Sequence, residues 1–167
     1  MKTIVLARHA KSDWSIGLPD IERPLNKRGL EDAPRMGSLL QSYEFAPDLI
    51  VSSPATRART TAELVANELD YTSEIKIEKN IYASSYGAVY SIIQDLPDDK
   101  DTVMLFGHNP TTEDLVKFLL QMRASIVVPT CGMICIDFHI GSWADVNPMM
   151  GQLRWFLIPR LIKRFKN

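Results

Sequence analysis

Residues 3–7, Thr-Ile-Val-Leu-Ala, form an apolar run that stops at a charged pair, Arg8-His9. The run is too short for a helix and rich in β-branched side chains, so it reads as a buried strand. A charged pair at the end of a buried strand stands at the carboxyl edge of a sheet, where open α/β folds bind ligands. The remaining elements are therefore read for what they bring to that edge.

Further short runs follow at regular intervals. Asp48–Ser52 and Thr102–Phe106 read as buried strands, Ile75–Glu78 alternates, and Gly132–Phe138 and Gln152–Ile158 complete six predicted strands. Helical spacing fills the gaps. Asn26 is the predicted N-cap of a helix carrying Leu30, Ala33, Met36, Leu39 and Leu40, with Pro34 predicting a kink or a broken first turn. Ser53-Pro54 reads as a cap followed by proline at the first helical position, opening a helix through Ala58, Ala62, Val65, Ala66 and Leu69. Val89, Ile92, Ile93 and Leu96 mark a third helix. Gly107-His108-Asn109-Pro110 repeats the strand, cap, proline and helix order ahead of Leu115, Val116, Phe118 and Leu119. The last two strands are joined by a loop with Gly141, Pro148 and Gly151, which suits a hairpin. This alternation predicts a single three-layer α/β/α domain over 1–167, with a mostly parallel sheet and an antiparallel edge.

Composition narrows the partners. A formal net charge of −1 leaves no global field to attract nucleic acid or an anionic membrane. No run approaches the ~18 apolar residues that span a bilayer, and Arg8 interrupts the N-terminal apolar segment before it could act as a signal peptide. Cys131 and Cys135 are the two cysteines. Four residues apart on one strand, their Cα atoms would be roughly 13 Å apart, beyond the ~7 Å a disulfide allows. Buried reduced thiols and a cytoplasmic setting are expected. The basic tail Arg160 to Lys166 reads as a solvated terminus, His139 as structural or solvent-facing, and Trp14 as a packing residue at a pocket mouth.

Parallel strands would bring Arg8 and His9, the segment Ser53-Pro54-Ala55-Thr56-Arg57, and Gly107-His108 to one edge. Guanidinium forks match phosphate oxygens, and helix N-termini add N–H donors. An imidazole among such charges is kept neutral and nucleophilic, whereas one facing a phosphate dianion becomes cationic.

These residues carry a resemblance. Arg8-His9-Ala10-Lys11-Ser12-Asp13-Trp14-Ser15 resembles the Arg-His-Gly-x-x-x-x-Asn signature of the histidine phosphatase superfamily, the phosphoglycerate mutase-like proteins. Ser53 to Ala58 with Thr61, and Gly107-His108-Asn109-Pro110, are similar to its second and third motifs. Arg-His-Ala-Lys-Ser, the Asp20–Leu25 segment with Arg28-Gly29, and Ile81-Tyr82-Ala83-Ser84 resemble the small SixA-like branch of phosphohistidine phosphatases. The resemblance implies a phosphohistidine intermediate on His9, a clamp of Arg8 and Arg57, and His108 stabilising the transferring group. No metal or other cofactor is implied, because the cationic cluster supplies the charge. Ser15 replaces an asparagine and would be a shorter phosphate donor. Arg23 is a third phosphate contact, and Asn109 completes the substrate-binding set. Ala83 stands near where larger relatives place a glutamate general acid, leaving Asp20 or Glu22 as substitutes. An alcohol leaves poorly without an acid, whereas imidazole is protonated by solvent, which favours phosphohistidine in a protein as substrate. The alternatives are a broad-specificity phosphomonoesterase or mutase acting on small phosphate esters, and a non-catalytic phospho-binding module.

Overall fold

In a computed structural model describing residues 1–162, Lys2–Arg8 forms β1 within a six-stranded sheet. Most of the basic tail Arg160 to Lys166 thus lies outside the described residues. The other strands are β2 Leu49–Ser52, β3 Lys76–Ile77, β4 Thr102–Gly107, β5 Met133–Phe138 and β6 Gln152–Leu157, in the order β3-β2-β4-β1-β5-β6. β1 to β4 pair in parallel, while β5 runs antiparallel to β1 and β6 antiparallel to β5. The helices are α1 Lys27–Ser42, α2 Thr56–Glu68, α3 Tyr86–Gln94, α4 Thr111–Leu119 and α5 Pro159–Ile162.

The central strands are buried on both faces, as a sheet covered by helices requires. Ile4 and Leu6 of β1 pack with Val89 and Ile93 of α3 and Leu115 and Leu119 of α4. Val5 and Ala7 point the other way, toward Met36 and Leu40 of α1 and Ala62 and Val65 of α2. Register then levels the strand ends. Arg8 lies opposite Gly107, and Ser52 opposite Phe106, so the chain leaves β1, β2 and β4 at one edge.

Several local expectations are corrected. α1 runs through Pro34 as one uninterrupted helix. Proline removes one backbone bond, to the carbonyl of Leu30, and the rest of the helix holds. Leu30 itself is half-exposed and is not a core residue. α2 and α4 begin later than their Ser-Pro and Asn-Pro signals, with Ala55 and Pro110 as N-caps and no side-chain cap. Ser53 and Asn109 instead reach His108 and Val128 with their side chains, besides bonds to near neighbours. Asn26 does cap α1, accepting from the Gly29 amide at 3.0 Å. Cys131 precedes β5 in a left-handed conformation, φ +61°, and its amide donates to the carbonyls of Arg8 and His9. Both cysteines are free and buried, and burial pushes their thiols up, Cys135 to about 12.

The segment after β1 is fastened to the start of α1. Ser12 bridges to Leu25, the Asp13 amide donates to Pro24 O, and the Asn26 amide donates to Lys11 O. Gly29 permits this approach, because a Cβ there would lie 2.2 Å from the Lys11 carbonyl oxygen. Gly29→Ala is therefore expected to cost about 1–3 kcal/mol of stability through overpacking. Gly87→Ala, in α3 with nothing closer than 3.8 Å, is expected to gain about 0.5–1 kcal/mol. Urea unfolding midpoints compare the two. Equal midpoints would remove the close-approach argument.

Candidate active site

His9, Arg8, Arg23, Arg57, His108 and Asn109 line one cavity of about 270 Å³ at the shared strand edge. It lies just below the usual range for small-molecule sites, roughly 300–1,000 Å³.

His9 follows β1 directly, and its amide donates to Gly107 O at 3.0 Å, tying β1 to β4 beyond the last paired residue. Its ring Nδ1 lies 2.7 Å from Ala10 O. A carbonyl can only accept, so Nδ1 carries the proton and Nε2 keeps its lone pair. Arg57 Nε donates to that lone pair at 3.3 Å. Burial, and then the positive fields of His108, Arg57 and Arg8, push the His9 pKa down to about 3, against the raising effect of the Ala10 carbonyl. The structure therefore holds a neutral imidazole with a defined free nitrogen.

The His108 ring centroid is 5.2 Å from that of His9. Its Nε2 is 2.7 Å from Ser53 Oγ, which also accepts from the Ala55 amide. Ser53 Oγ is best placed to donate its proton to Nε2, leaving Nδ1 as the N–H. Nδ1 is buried without a hydrogen-bond partner among the described residues. Burial first, then Arg57, lowers the His108 pKa to about 4. The site's own groups thus keep His108 neutral, and a cationic form would require a bound anion.

Three guanidinium groups surround these rings. Arg57, in the first turn of α2, is buried and donates through Nη1 to Asp20 O and through Nη2 to Asp20 Oδ2 at 2.9 Å. Thr61, one turn on, accepts from the Ala10 amide at 2.9 Å and so joins α2 to the chain beside His9. Arg23 is also buried. It donates through Nη1 to Ser12 Oγ and through Nη2 to Asp20 Oδ1 at 2.7 Å, and its guanidinium carbon lies 3.6 Å from the Trp14 ring centroid. Arg8 donates through Nη1 to Val128 O at 2.8 Å, and burial lowers its pKa against the attraction of Glu113. The Nε atoms of Arg8 and Arg23 are buried without partners among the described residues.

The predicted set is mostly brought together, with two departures. Ser15 is exposed, and its hydroxyl donates to Asp13 Oδ1 at 2.7 Å, so it does not join the cavity. Its side chain finds a local acceptor two residues back before it can reach the pocket. Asn109 lines the cavity, but its Nδ2 donates to Glu113 Oε1 at 2.6 Å and to Val128 O, bracing the segment that holds Arg8. Of the substitute acids, Glu22 is exposed in the 3-10 turn Asp20–Glu22. The Asp20 carboxyl is held well below the usual carboxylate range, by the hydrogen bond from Arg23 above all and also by those from Tyr82 and Arg57. At neutral pH it has no proton to give.

The sequence alone does not mark Ser12, Ser53 or Tyr82 as functional. Ser53 carried a signal, its place directly after β2, but the following proline made it look like a cap. Tyr82 lies in the Ile81–Ser84 resemblance, but nothing local shows that its hydroxyl reaches Asp20 across 62 residues.

Among the described residues, no group of three or more His, Cys, Asp or Glu is placed to hold a metal ion, and no helix is long and apolar enough to cross a membrane.

Comparison with known proteins agrees with this geometry. The family model described as "Histidine phosphatase superfamily (branch 1)" matches residues 4–117. The uncharacterized protein Rv1276c of Mycobacterium tuberculosis H37Rv is 33% identical over 162 residues, covering 92% of this chain and 99% of that one. Among solved structures, a protein assigned as the phosphohistidine phosphatase SixA of Agrobacterium tumefaciens superposes with a TM-score of 0.79 at 27% identity, covering 95% of this chain and 98% of that one. The protein histidine phosphatase SixA complexed with tungstate superposes with a TM-score of 0.84 at 20% identity, covering 96% and 99%. The architecture is the phosphoglycerate mutase-like α/β fold.

Proposed function

Because the chain belongs to the histidine phosphatase superfamily, we propose that it hydrolyses phosphohistidine borne by another protein, through a covalent phosphohistidine of its own on His9. The observation that carries this reading is the His9 ring, whose proton is fixed on Nδ1 by Ala10 while Nε2 stays unprotonated among three guanidinium groups.

In the first step the Nε2 lone pair attacks phosphorus, and the bond from phosphorus to the substrate imidazole breaks. The Arg57 Nε–H then turns from His9 Nε2 to a phosphoryl oxygen. Arg8 and Arg23 add positive charge, and the His108 Nδ1–H supplies one more donor. Apart from that turn of Arg57, such preorganised donors stand in place as charge develops. The departing imidazole takes its proton from solvent. In the second step water attacks the phosphoenzyme, the Nε2–P bond breaks, orthophosphate leaves, and His9 returns to the neutral tautomer.

Two features favour a protein-borne nitrogen leaving group. Asp20 is ionised, and Ala83 offers no acid for an alcohol. Trp14, Ile16 and Leu18 are 73%, 51% and 46% exposed, and with Asp13, Asp20 and Arg23 they line a depression beside the mouth. Apolar surface of this kind suits the polypeptide flanking a phosphorylated side chain better than a free polar ester. The segment from Lys79 to Asp101 is short and holds one helix, α3, and one 3-10 turn, little material for a lid, which disfavours a mutase that must shield its phosphoenzyme from water. Such a substrate would place the enzyme in the cytoplasm.

The test compares a phosphohistidine-containing protein, free phosphohistidine and p-nitrophenyl phosphate. The protein is expected to exceed both small substrates in kcat/KM by more than about tenfold, a difference of ~1.4 kcal/mol in transition-state binding. Equal values for protein and free phosphohistidine would remove the protein-substrate reading. Turnover of the aryl ester alone would remove the nitrogen leaving group.

A further inference from the structure

Three separate parts of the chain meet at one carboxylate, that of Asp20. Oδ1 accepts from Arg23 Nη2, and Oδ2 accepts from Arg57 Nη2 and from the Tyr82 hydroxyl, at 2.7, 2.9 and 2.9 Å. The Asp20 backbone carbonyl takes Arg57 Nη1 as well. Tyr82 in turn sets its ring edge-on to His108, with centroids 5.7 Å apart. Resting on the functional reading above, we infer that Asp20 is a positioning residue, which orients Arg57 and Arg23 around His9 before the phosphoryl group arrives.

Two buried guanidinium groups so close together repel each other, and a shared anion removes that repulsion. A carboxylate also fixes direction, because charge-assisted hydrogen bonds to a planar fork have a narrow geometry. The direction matters here. Asp20 and Ser12 hold Arg23 by both terminal nitrogens, Asp20 holds Arg57 by both of its own, and Val128 holds Arg8 by Nη1. The second terminal nitrogen of Arg8 is held by none of these acceptors, and the Arg57 Nε rests on the His9 lone pair. The clamp therefore meets the phosphoryl oxygens with guanidinium planes that the protein has already set. Tyr82 extends the device to His108, so one carboxylate coordinates both arginines and, through a ring contact, the second imidazole.

This role differs from that of a proton donor in a measurable way. A proton donor matters in proportion to how poorly the leaving group departs. A positioning residue acts on the phosphoryl clamp, which every substrate uses. Asp20→Asn is therefore expected to slow phosphorylation of His9 by roughly tenfold to a hundredfold, the scale of a displaced catalytic group. The factor should be the same for aryl phosphates of low and high leaving-group pKa and for phosphohistidine. Inorganic phosphate, titrated by calorimetry, should bind about tenfold more weakly. Tyr82→Phe keeps both ion pairs and should show a smaller loss in the same direction, and it is the readout should Asp20→Asn not fold. A loss confined to poor leaving groups would overturn the inference in favour of acid catalysis. Tighter phosphate binding would overturn it too, by showing that the carboxylate merely competes for the arginines. Unchanged rates and binding would do the same. If phosphohistidine is no substrate at all, the substrate reading falls, while the phosphate titration still decides the role of Asp20.

Discussion

His9→Ala is expected to lower turnover by at least about 10⁴-fold and to eliminate the phosphoenzyme, while the protein remains folded. The magnitude follows from what a covalent nucleophile contributes when the rest of the site is left intact. The substitution removes the one imidazole nitrogen presented to the arginine cluster with its lone pair free, while the Arg8, Arg23 and Arg57 anchors on Val128, Ser12 and Asp20 persist. Phosphate binding should accordingly survive better than catalysis. The check is rapid-quench labelling with a radioactive phosphoryl donor. Wild-type protein should give an acid-labile, alkali-stable adduct, and His9→Ala none. Arg59→Ala supplies the control. Arg59 lies two residues from Arg57 on α2 but is half-exposed and paired with Glu63, so its loss should change turnover by less than twofold. An adduct of the same stability in His9→Ala would place the nucleophile elsewhere, with His108 the first suspect.

The sequence marks Arg8, His9, Arg57 and His108 because each follows a buried strand or opens the helix after one, and parallel strands deliver such positions to one edge. Backbone periodicity alone carries that information. The residues that escape a sequence reading are those whose side chains choose a distant partner over a near one. Ser53 and Asn109 both have the chemistry of a helix cap and the proline that should follow one. In the folded chain the Ser53 hydroxyl goes to His108, 55 residues on, and the Asn109 amide bonds Val128, 19 residues on, as well as Glu113 in the next turn. Asp20 shows the same limit from the other side. Its position in a charged loop suggests a spare carboxyl able to hold a proton, but two arginines from different segments meet it and fix it as an anion. Local propensity likewise breaks α1 at Pro34, whereas packing of Ala33, Met36 and Leu40 against the sheet carries the helix through. In each case the deciding energy comes from tertiary burial, which no window of neighbouring residues contains.

Acid should destabilise the protein well before its carboxylates titrate. Both site histidines have folded pKa values, about 3 and about 4, below the ordinary 6.5. Between those values and 6.5 the unfolded chain binds protons that the folded chain refuses, so stability falls as pH is lowered through that window. Each histidine contributes a slope approaching about 1.4 kcal/mol per pH unit once its unfolded form is protonated. The carboxylates act separately. Asp13, Asp20, Asp98 and Asp101 have lowered pKa values, so the stability they lend is kept above the ordinary carboxylate range and lost only below it. Urea unfolding between pH 7 and 5.5, above the carboxylate range, therefore reports mainly the imidazoles. His9→Ala should lose about half of the pH dependence in that range and be relatively more stable than wild type at the acid end, although it lacks the nucleophile. Catalysis should behave in the opposite sense to stability. Because His9 stays neutral in the folded state, the acid limb of kcat/KM should lie well below pH 6.5, and turnover should persist at pH 5 in protein that is already less stable. A wild-type unfolding free energy that is flat from pH 7 to 5.5, or a rate that halves near 6.5, would mean that the two rings are solvated enough to accept protons and that the pocket does not keep its nucleophile neutral.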